Sequence, residues 1–189
     1  MAKFFQHPTA LVESKSIGKG TRIWAYAHIM VKARIGEKCN IGDHCFVESG
    51  AIIGNNVTLK NGVSIWNHIR IEDDVFVGPN ATLTNDVWPR SGNRDWRASK
   101  TLIQKGATIG ANATILCGIR IGSHAMIGAG AVVTKDVPAF SLCYGNPARS
   151  HGWVCVCTAK LAFRKQAAIC DQCGRSFRNV GGKVTERKK

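Results

Sequence analysis

Hydrophobic residues recur every six positions along most of the chain. When the sequence is divided into hexads from His7, the fifth place of every hexad up to residue 84 is aliphatic, and the third place is mostly small or β-branched. The same phase returns over residues 105–134. The eighteen aliphatic residues at this place are Leu11, Ile17, Ile23, Ile29, Ile35, Ile41, Val47, Ile53, Leu59, Ile65, Ile71, Val77, Leu83, Ile109, Ile115, Ile121, Ile127 and Val133.

A period of six matches neither the 3.6-residue period of an α-helix nor the two-residue alternation of an amphipathic strand. It is typical of a short strand followed by a corner, and hexapeptide periods mark parallel β-helices. Three such segments close a triangular coil of about 18 residues, and each coil pairs with the next at about 4.8 Å. Glycine at the sixth place, as at Gly36 and Gly110, suits corners with unusual backbone torsions. A β-sandwich of short strands is the alternative, but it does not keep a fixed six-residue phase.

The repeat is interrupted between Leu83 and Ile109. Counting the aliphatic places predicts a 20-residue insertion, residues 85–104, and an insertion in a β-helix must loop outward. Its aromatic and cationic residues suit a phosphate-bearing ligand, although a solvated basic loop has the same composition. These residues are Trp88, Trp96, Arg90, Arg94, Arg97 and Lys100.

Residues 18 apart stack on one side of such a helix, which predicts a polar column beside the insertion. Asn67 is expected under Asn85 and His68 under Asp86, with neighbours about 4.8 Å apart. After subtraction of the 20-residue insertion, His124 continues the column. Such a column would position an acceptor amine and carry off its proton, whereas a row of exposed polar corners is the alternative interpretation.

Four cysteines near the C-terminus have the spacing C-x-C-x12-C-x2-C. Two close pairs of thiolates can complete a closed, structural tetrahedral zinc site, and segments of this size rarely fold on their own core. Reduced cysteines in an unstructured tail are the alternative. Cys39 and Cys45 occupy third places and are expected in the core. The candidate zinc ligands are Cys155, Cys157, Cys170 and Cys173.

The net charge of the chain indicates which classes of ligand it binds. The 189 residues include 26 basic and 12 acidic side chains, a formal net charge of +14, and half of the excess lies in residues 160–189. Such a chain is expected to bind anions, either nucleic acid or small polyanions such as nucleotides and coenzyme A. No membrane-spanning run or secretory signal is visible in the sequence, which predicts a cytoplasmic protein whose cysteines are thiols or metal ligands.

The hexads over roughly residues 7–150 resemble those of the hexapeptide-repeat acyltransferases. The resemblance implies a left-handed parallel β-helix that assembles as a homotrimer with its sites between subunits. The corresponding domains are the acyltransferase domain, residues 1–150, and a zinc-ribbon-like extension with a basic tail, residues 151–189.

The insertion refines this resemblance. Thr84-Asn85-Asp86 followed by Pro89-Arg90 lacks the loop histidine that the family's sugar O-acetyltransferases use, and is similar to the branch that N-acetylates 3-amino sugars on a nucleoside diphosphate. An amine needs less general-base assistance than a sugar hydroxyl. In this interpretation Asn85 orients the amine, and Arg90 and the neighbouring loop cations bind the diphosphate. The candidate catalytic residues are Asn85, His68 and Asp86, and the candidate substrate contacts are Asn67, Arg90 and Trp88.

The end of the repeat, GAGAVVTKDVP followed by GNPAR, is similar to the part of the family that lies beside the coenzyme A groove. The resemblance implies acetyl-CoA as the co-substrate. Four residues would offer backbone contacts to the pantetheine arm, two would face the phosphates and one would shape the adenine end. The alternative is that the stretch only ends the core, with its cations solvated. The pantetheine contacts would come from Gly128, Ala129, Gly130 and Ala131, the phosphate contacts from Lys135 and Arg149, and the adenine contact from Pro147.

Together these features predict an acetyl-CoA-dependent N-acetyltransferase acting on the 3-amino group of a UDP- or dTDP-linked sugar in surface-polysaccharide biosynthesis. Both substrates are polyanions, so they account for the charge of residues 1–159 without nucleic acid. Two alternatives stay open. One is a non-catalytic trimeric β-helix whose zinc ribbon binds nucleic acid or protein, and the other is a sugar O-acetyltransferase.

Overall fold

The computed structural model describes residues 4–187, and its first twenty strands wind into a β-helix with three faces. The first face contains β1 (Phe5–Gln6), β4 (Arg22–Ile23), β7 (Asn40–Ile41), β10 (Thr58–Leu59), β13 (Phe76–Val77), β16 (Thr108–Ile109) and β19 (Met126–Ile127). The second contains β2 (Leu11–Val12), β5 (His28–Ile29), β8 (Phe46–Val47), β11 (Ser64–Ile65), β14 (Thr82–Leu83), β17 (Thr114–Ile115) and β20 (Val132–Val133). The third contains β3 (Ser16–Ile17), β6 (Arg34–Ile35), β9 (Ile52–Ile53), β12 (Ile69–Ile71), β15 (Thr101–Ile103) and β18 (Arg120–Ile121).

All pairings along these faces are parallel, and most join residues 18 apart. Thr58 lies opposite Phe76 on the first face, and Arg34 lies opposite Ile52 on the third. The predicted all-β class, a parallel β-helix of triangular coils, is confirmed. No helix in the described part of the chain is long and apolar enough to cross a membrane.

The core is a stack of aliphatic side chains inside the three faces. Seventeen of the eighteen fifth-place residues are buried, as predicted, and so are Cys39 and Cys45. Burial raises the pKa of the Cys45 thiol to about 11, so this thiol stays protonated and inert. Leu11 is the exception, because the first coil is one residue short. Val12 therefore lies opposite Ile29 and packs against the core, while Leu11 points outward.

The sixth-place glycines serve a different purpose from the one predicted. None of them has a left-handed backbone; an added Cβ at Gly36 or Gly110 would instead lie 2.6 Å from a carbonyl carbon of the next coil. These positions need glycine because the coils approach closely. The left-handed torsions fall two residues later, at the second place of every hexad over residues 19–84 and 105–134, where His68 (φ 64°) and His124 (φ 56°) are found.

The insertion is shorter than predicted. Ile71 pairs with Ile103, 32 residues further along instead of 18, so the insertion adds 14 residues and not 20. Ile103 is fully buried and occupies the aliphatic place that the hexad count assigned to Ile109. β15 therefore resumes the third face at Thr101, and the protruding loop comprises residues 84–100.

The C-terminal part adds antiparallel strands to the end of the helix. β21 (Ser141–Tyr144) pairs with β19 and with β22 (Arg149–Val154), which pairs with β23 (Lys160–Leu161). β24 (Ala167–Ile169), β25 (Ser176–Val180) and β26 (Lys183–Arg187) form a separate three-stranded sheet.

A second core joins this sheet to the last coil of the β-helix. In it the ring of Phe140 meets the ring of Phe177 edge-on, with 5.4 Å between centroids. The predicted boundary at residue 150 falls within β22. The division into two domains stays a prediction.

Candidate functional site

The loop emerges at the corner between the second and third faces, which we call the loop corner. Ser99 N–H donates to the Asn85 carbonyl at 2.9 Å and closes the base of the loop. Thr101 N–H donates to the His68 carbonyl at 3.2 Å, and Cys117 N–H donates to Thr84 Oγ1 at 3.0 Å. A backbone hydrogen bond to the coil below and a hydrogen bond between Cys117 N–H and the Thr84 hydroxyl therefore hold the loop at both ends.

A cavity of about 560 Å³ lies beside the loop corner, on the third face. Strand alternation turns Arg70 and Arg120 outward from this face, and Lys100 reaches the cavity from the returning end of the loop. His68 lines it at the corner, and Asp136 lines its far side. Because cationic side chains dominate its polar lining, we call it the basic cavity, and it is suited to anions.

A second cavity, of about 410 Å³, lies within the loop and brings several predicted substrate residues together. Asn85, Asp86 and Arg90 all line it, and the first two are half-buried. Asp86 Oδ1 accepts a hydrogen bond from Trp88 N–H at 2.9 Å, so one carboxylate oxygen already stabilises a turn of the loop. The Trp88 side chain is outside this cavity and is 81% exposed.

The predicted column of His68, Asp86 and His124 does not form. Lys100, and not Asp86, follows His68 in the stack, because Ile69 pairs with Thr101. His124 belongs to the corner between the third and first faces, where its ring crowds Gly106 and stacks on Phe140 at 5.2 Å. The error comes from the length of the insertion: a 14-residue loop moves His124 to a different corner.

Asn67 and His124 have separate surroundings at their two corners. Asn67 N–H donates to a carboxylate oxygen of Glu48 at 2.6 Å, which stabilises the coil below the loop. His124 is half-buried, and desolvation lowers its pKa because it disfavours the protonated ring. The nearby carboxylates of Glu186 and Asp74 oppose that shift.

The C-terminal end of the helix has a third cavity, of about 280 Å³, which contains the predicted phosphate-binding cations Lys135 and Arg149. Asp136 lines both this cavity and the basic cavity, so the two adjoin. Ala148 N–H donates to the Val132 carbonyl at 2.7 Å and holds the segment around Pro147 against β20.

The four residues predicted to contact pantetheine lie at a different corner, between the first and second faces. Gly128, Gly130 and Ala131 each use their N–H within the chain, donating to the carbonyls of Cys143, Ala111 and Gly128 respectively. Among these four residues, which all lie in the described part of the chain, only Ala129 has an N–H with no protein acceptor. A backbone contact to a ligand here would therefore use the Ala129 amide.

The four C-terminal cysteines converge as their spacing predicts. Their Sγ atoms all lie within 4.8 Å of one another, with Cys155 and Cys173 at 3.4 Å and Cys157 and Cys170 at 3.5 Å. Zinc–sulfur bonds of about 2.3 Å in a tetrahedron place sulfurs about 3.8 Å apart, so the cluster fits zinc.

The turns of the cluster also suit a metal knuckle. Gly174 N–H donates to the Cys170 carbonyl, and Thr158 N–H donates to the Cys155 carbonyl. Thr158 has the left-handed torsion (φ 73°) that glycine adopts at no steric cost. The Arg175 guanidinium donates to Cys173 Sγ at 3.5 Å and pairs with Glu186 at 3.1 Å.

Arg70 and Arg120 are the site residues that sequence reasoning missed. Each occupies the fourth place of its hexad, in NHIRIE and CGIRIG, where side chains point outward. The correct loop length would have placed them two strands apart on one face, so the signal was present but depended on the register.

The comparisons with known proteins agree with this architecture. Residues 50–85 and 100–135 match the family "Bacterial transferase hexapeptide (six repeats)", and residues 32–66 match "Hexapeptide repeat of succinyl-transferase". The dTDP-3-amino-3,6-dideoxy-alpha-D-galactopyranose 3-N-acetyltransferase of Aneurinibacillus thermoaerophilus is 53% identical over 182 residues, which cover 96% of this chain and 94% of that protein.

Two solved structures show the same fold. A single-site mutant of AntD, an N-acyltransferase from Bacillus cereus in complex with dTDP and coenzyme A, superposes with a TM-score of 0.56 at 21% identity, covering 71% of this chain and 82% of AntD. The acetyltransferase domain of PglB from Neisseria gonorrhoeae, in complex with acetyl coenzyme A, gives a TM-score of 0.51 at 22% identity, covering 78% and 57%. At these identities the likeness concerns the fold alone.

Proposed function

This chain belongs to the bacterial hexapeptide transferases, and from that premise we propose that it is an acetyl-CoA-dependent N-acetyltransferase of a nucleotide-linked 3-amino sugar. The observation that carries the proposal is the 53% identity, over 96% of the chain, to a dTDP-3-amino-3,6-dideoxygalactose 3-N-acetyltransferase. We therefore take that dTDP-sugar as the first candidate acceptor. The surface-polysaccharide context and the cytoplasmic location stay predictions.

In the proposed reaction the neutral sugar amine attacks the thioester carbonyl carbon of acetyl-CoA. A carbon–nitrogen bond forms, the carbon–sulfur bond then breaks, and the coenzyme leaves as a thiolate that takes up the proton lost by nitrogen. Holding the amine next to the thioester supplies much of the catalysis, because an amine is already a strong nucleophile. A backbone N–H would stabilise the oxyanion of the tetrahedral intermediate.

We assign roles to the residues at the loop corner on this basis. The Asn85 side chain orients the amine, and the Asn85 backbone is held in place because its carbonyl accepts a hydrogen bond from Ser99 N–H. His68 lines the basic cavity and is the candidate to take the proton from nitrogen and pass it to the coenzyme thiolate, because an imidazole nitrogen can accept and then donate a proton. Asp86 supports Asn85 by holding the Trp88 amide, while Arg90 contacts the nucleotide from the loop cavity.

A homotrimer is part of the proposal, because within a single chain the proposed coenzyme contacts and the proposed amine-binding residues lie at different corners. Gly128–Ala131, the proposed pantetheine contacts, lie between the first and second faces, whereas His68 and Asn85 lie at the loop corner on the other side of the second face. A neighbouring subunit that places its own corner against this face would bring the halves together. Lys135 and Arg149 would then face coenzyme phosphates and Pro147 the adenine.

We also propose that Cys155, Cys157, Cys170 and Cys173 bind one structural zinc ion. Four thiolates fill a tetrahedral site, which leaves no open position for catalysis, so the metal would stabilise the C-terminal sheet. Elemental analysis of the purified protein tests this proposal, and about one zinc per chain is expected. A protein that is fully folded with no bound metal would contradict it.

Release of coenzyme A thiol from acetyl-CoA tests the proposed activity. The acceptors are a dTDP-linked 3-amino sugar, its UDP-linked counterpart and a matched sugar nucleotide with a 3-hydroxyl group. Release with an amine acceptor but not with the hydroxyl acceptor supports the proposal, and release with the hydroxyl alone would make the protein an O-acetyltransferase. No release with any acceptor, together with salt-sensitive binding of nucleic acid, would favour a non-catalytic module.

A further inference from the structure

Three cations line the basic cavity, and two of them, Arg70 and Arg120, have no role predicted from the sequence. Lys100 is one of the loop cations that suit a phosphate-bearing ligand. Arg70 and Arg120 project from β12 and β18, and Leu102 of β15 lies between them on the same face. The two arginines are therefore about 9.6 Å apart along the helix, twice the spacing of adjacent strands. Lys100 approaches the same space from the loop corner.

No carboxylate of the described residues forms an ion pair with these cations. The ion pairs within residues 4–187 join His28 to Glu13, Lys105 to Asp74 and Arg175 to Glu186, so none involves the basic cavity. Asp136 is the acidic residue in its wall, and one oxygen of that carboxylate accepts the Arg120 backbone N–H at 2.8 Å. The cavity thus concentrates positive charge with little internal compensation, which favours a polyanionic ligand.

The floor of the cavity shows where the anion would sit. Ile52, Leu102 and Ile119 provide apolar lining, and Arg70, Lys100 and Arg120 line the same cavity. Arginine forks match phosphate oxygens with paired hydrogen bonds, and two arginines two strands apart can contact both phosphates and the group beyond them. A diphosphate that carries an apolar or sugar moiety fits this combination better than a single inorganic anion.

We propose that Arg70, Lys100 and Arg120 bind the diphosphate group of a nucleotide substrate. This inference rests on the proposed function, in which both substrates carry such a group. Position favours the sugar nucleotide as its source, because Lys135 and Arg149, in the adjoining cavity, are already the candidates for coenzyme phosphates. The inference moves the main diphosphate contacts from Arg90 and the other cations of the exposed loop to Arg70 and Arg120 on the third face of the helix, with Lys100 retained from the loop.

Single and double substitutions, Arg70→Ala, Arg120→Ala and both together, test the assignment. Arg34→Ala is the matched control, because Arg34 occupies the same outward column two strands below Arg70 and lies outside the cavity. Calorimetric titration with dTDP, and separately with coenzyme A, measures binding without requiring turnover. KM for each substrate is then measured for the same variants.

We expect each cavity variant to weaken dTDP binding about tenfold or more, as for loss of a charge-assisted hydrogen bond, while Arg34→Ala stays within about twofold of wild type. If the loss falls on coenzyme A instead, the diphosphate site stands and its ligand is the coenzyme. Unchanged binding of both ligands in the double variant would overturn the inference. So would dissociation of the oligomer with intact dTDP affinity, since the arginines would then be interface residues.

Two further checks keep the outcome interpretable. Arg70→Gln and Arg120→Gln remove the charge but keep a polar side chain larger than that of alanine, so they replace the alanine variants if those fail to fold, with the same expectation. If wild type binds dTDP through the arginines but acetylates no amino sugar, the proposed function fails while the diphosphate site stands. If wild type turns over and the arginine variants keep wild-type affinities, the diphosphate site fails alone.

Discussion

Gly110 has no room for a side chain, because the coil above it passes too close. An added Cβ would lie 2.6 Å from the carbonyl carbon of Gly128 and would also crowd the amide nitrogen of Ala129. Ordinary contacts between such atoms begin at about 3.5 Å, so Gly110→Ala must separate the two coils by roughly 1 Å. That is about a fifth of the 4.8 Å spacing between coils.

The expected magnitude follows from this displacement. Overpacking of a well-packed interior costs about 1–3 kcal/mol, and the Gly110 backbone torsion itself allows alanine. Because the displaced atoms belong to Gly128 and Ala129, the variant also moves the one unpaired amide of the proposed pantetheine contacts. Loss of one such hydrogen bond weakens binding about two- to tenfold, which we expect as a rise in KM for acetyl-CoA.

Gly36→Ala is the matched control for Gly110→Ala. Its Cβ would lie 2.6 Å from the carbonyl carbon of Gly54, far along the helix from the coenzyme contacts. Chemical denaturation measures both variants, and we expect similar losses of stability but a raised KM only for Gly110→Ala. A wild-type KM for both would remove Gly128–Ala131 from the cofactor site. Wild-type stability for both would refute the account of why the sixth place is glycine.

The C-terminal region and the last coils yield further predictions. Chelation of the proposed zinc, or Cys170→Ser, should lower the melting temperature and release the metal. Cys117→Ser is the control and should do neither. Equal effects of the two substitutions would contradict a metal bound by the cysteine cluster. Thr158→Gly should raise the free energy of unfolding by up to about 1 kcal/mol, because a β-branched residue is strained at φ 73°; a loss of stability would contradict this. His124 has a lowered pKa in the folded protein, so the unfolded state binds more protons and stability should fall as the pH drops below about 6.5. His124→Gln should flatten that part of the stability profile, and an unchanged slope would show that other groups cause it.

The repeat could be predicted from sequence because each hexad repeats the same local rule. A buried aliphatic residue at every fifth place leaves few architectures, and the coils then stack in register without further information. The hexad count failed at two places. The short first coil turned Leu11 outward, and Ile103 resumed the core one hexad before Ile109. Aliphatic residues in both candidate phases make such choices ambiguous until pairing is known.

The site was predictable only where its residues are close in sequence. The cysteine cluster forms as expected, because two short knuckles each fix a pair of sulfurs. Residues that meet across coils depend on the length of the loop, and an error of six residues moved His124 to the wrong corner and concealed the alignment of Arg70 with Arg120. The reason for glycine at the sixth place could not be predicted either, because the sequence does not distinguish an unusual backbone torsion from a close approach of neighbouring coils.

The position of the transferred acetyl group tests the central claim most directly. The protein is incubated with acetyl-CoA and dTDP-3-amino-3,6-dideoxygalactose, and the product is characterised by mass spectrometry and NMR before and after mild alkali. The account predicts one acetyl group on the sugar nitrogen, formed with one equivalent of coenzyme thiol and stable to alkali as an amide. An acetyl group that alkali removes as an ester, or thiol release without any acetylated sugar, would contradict it.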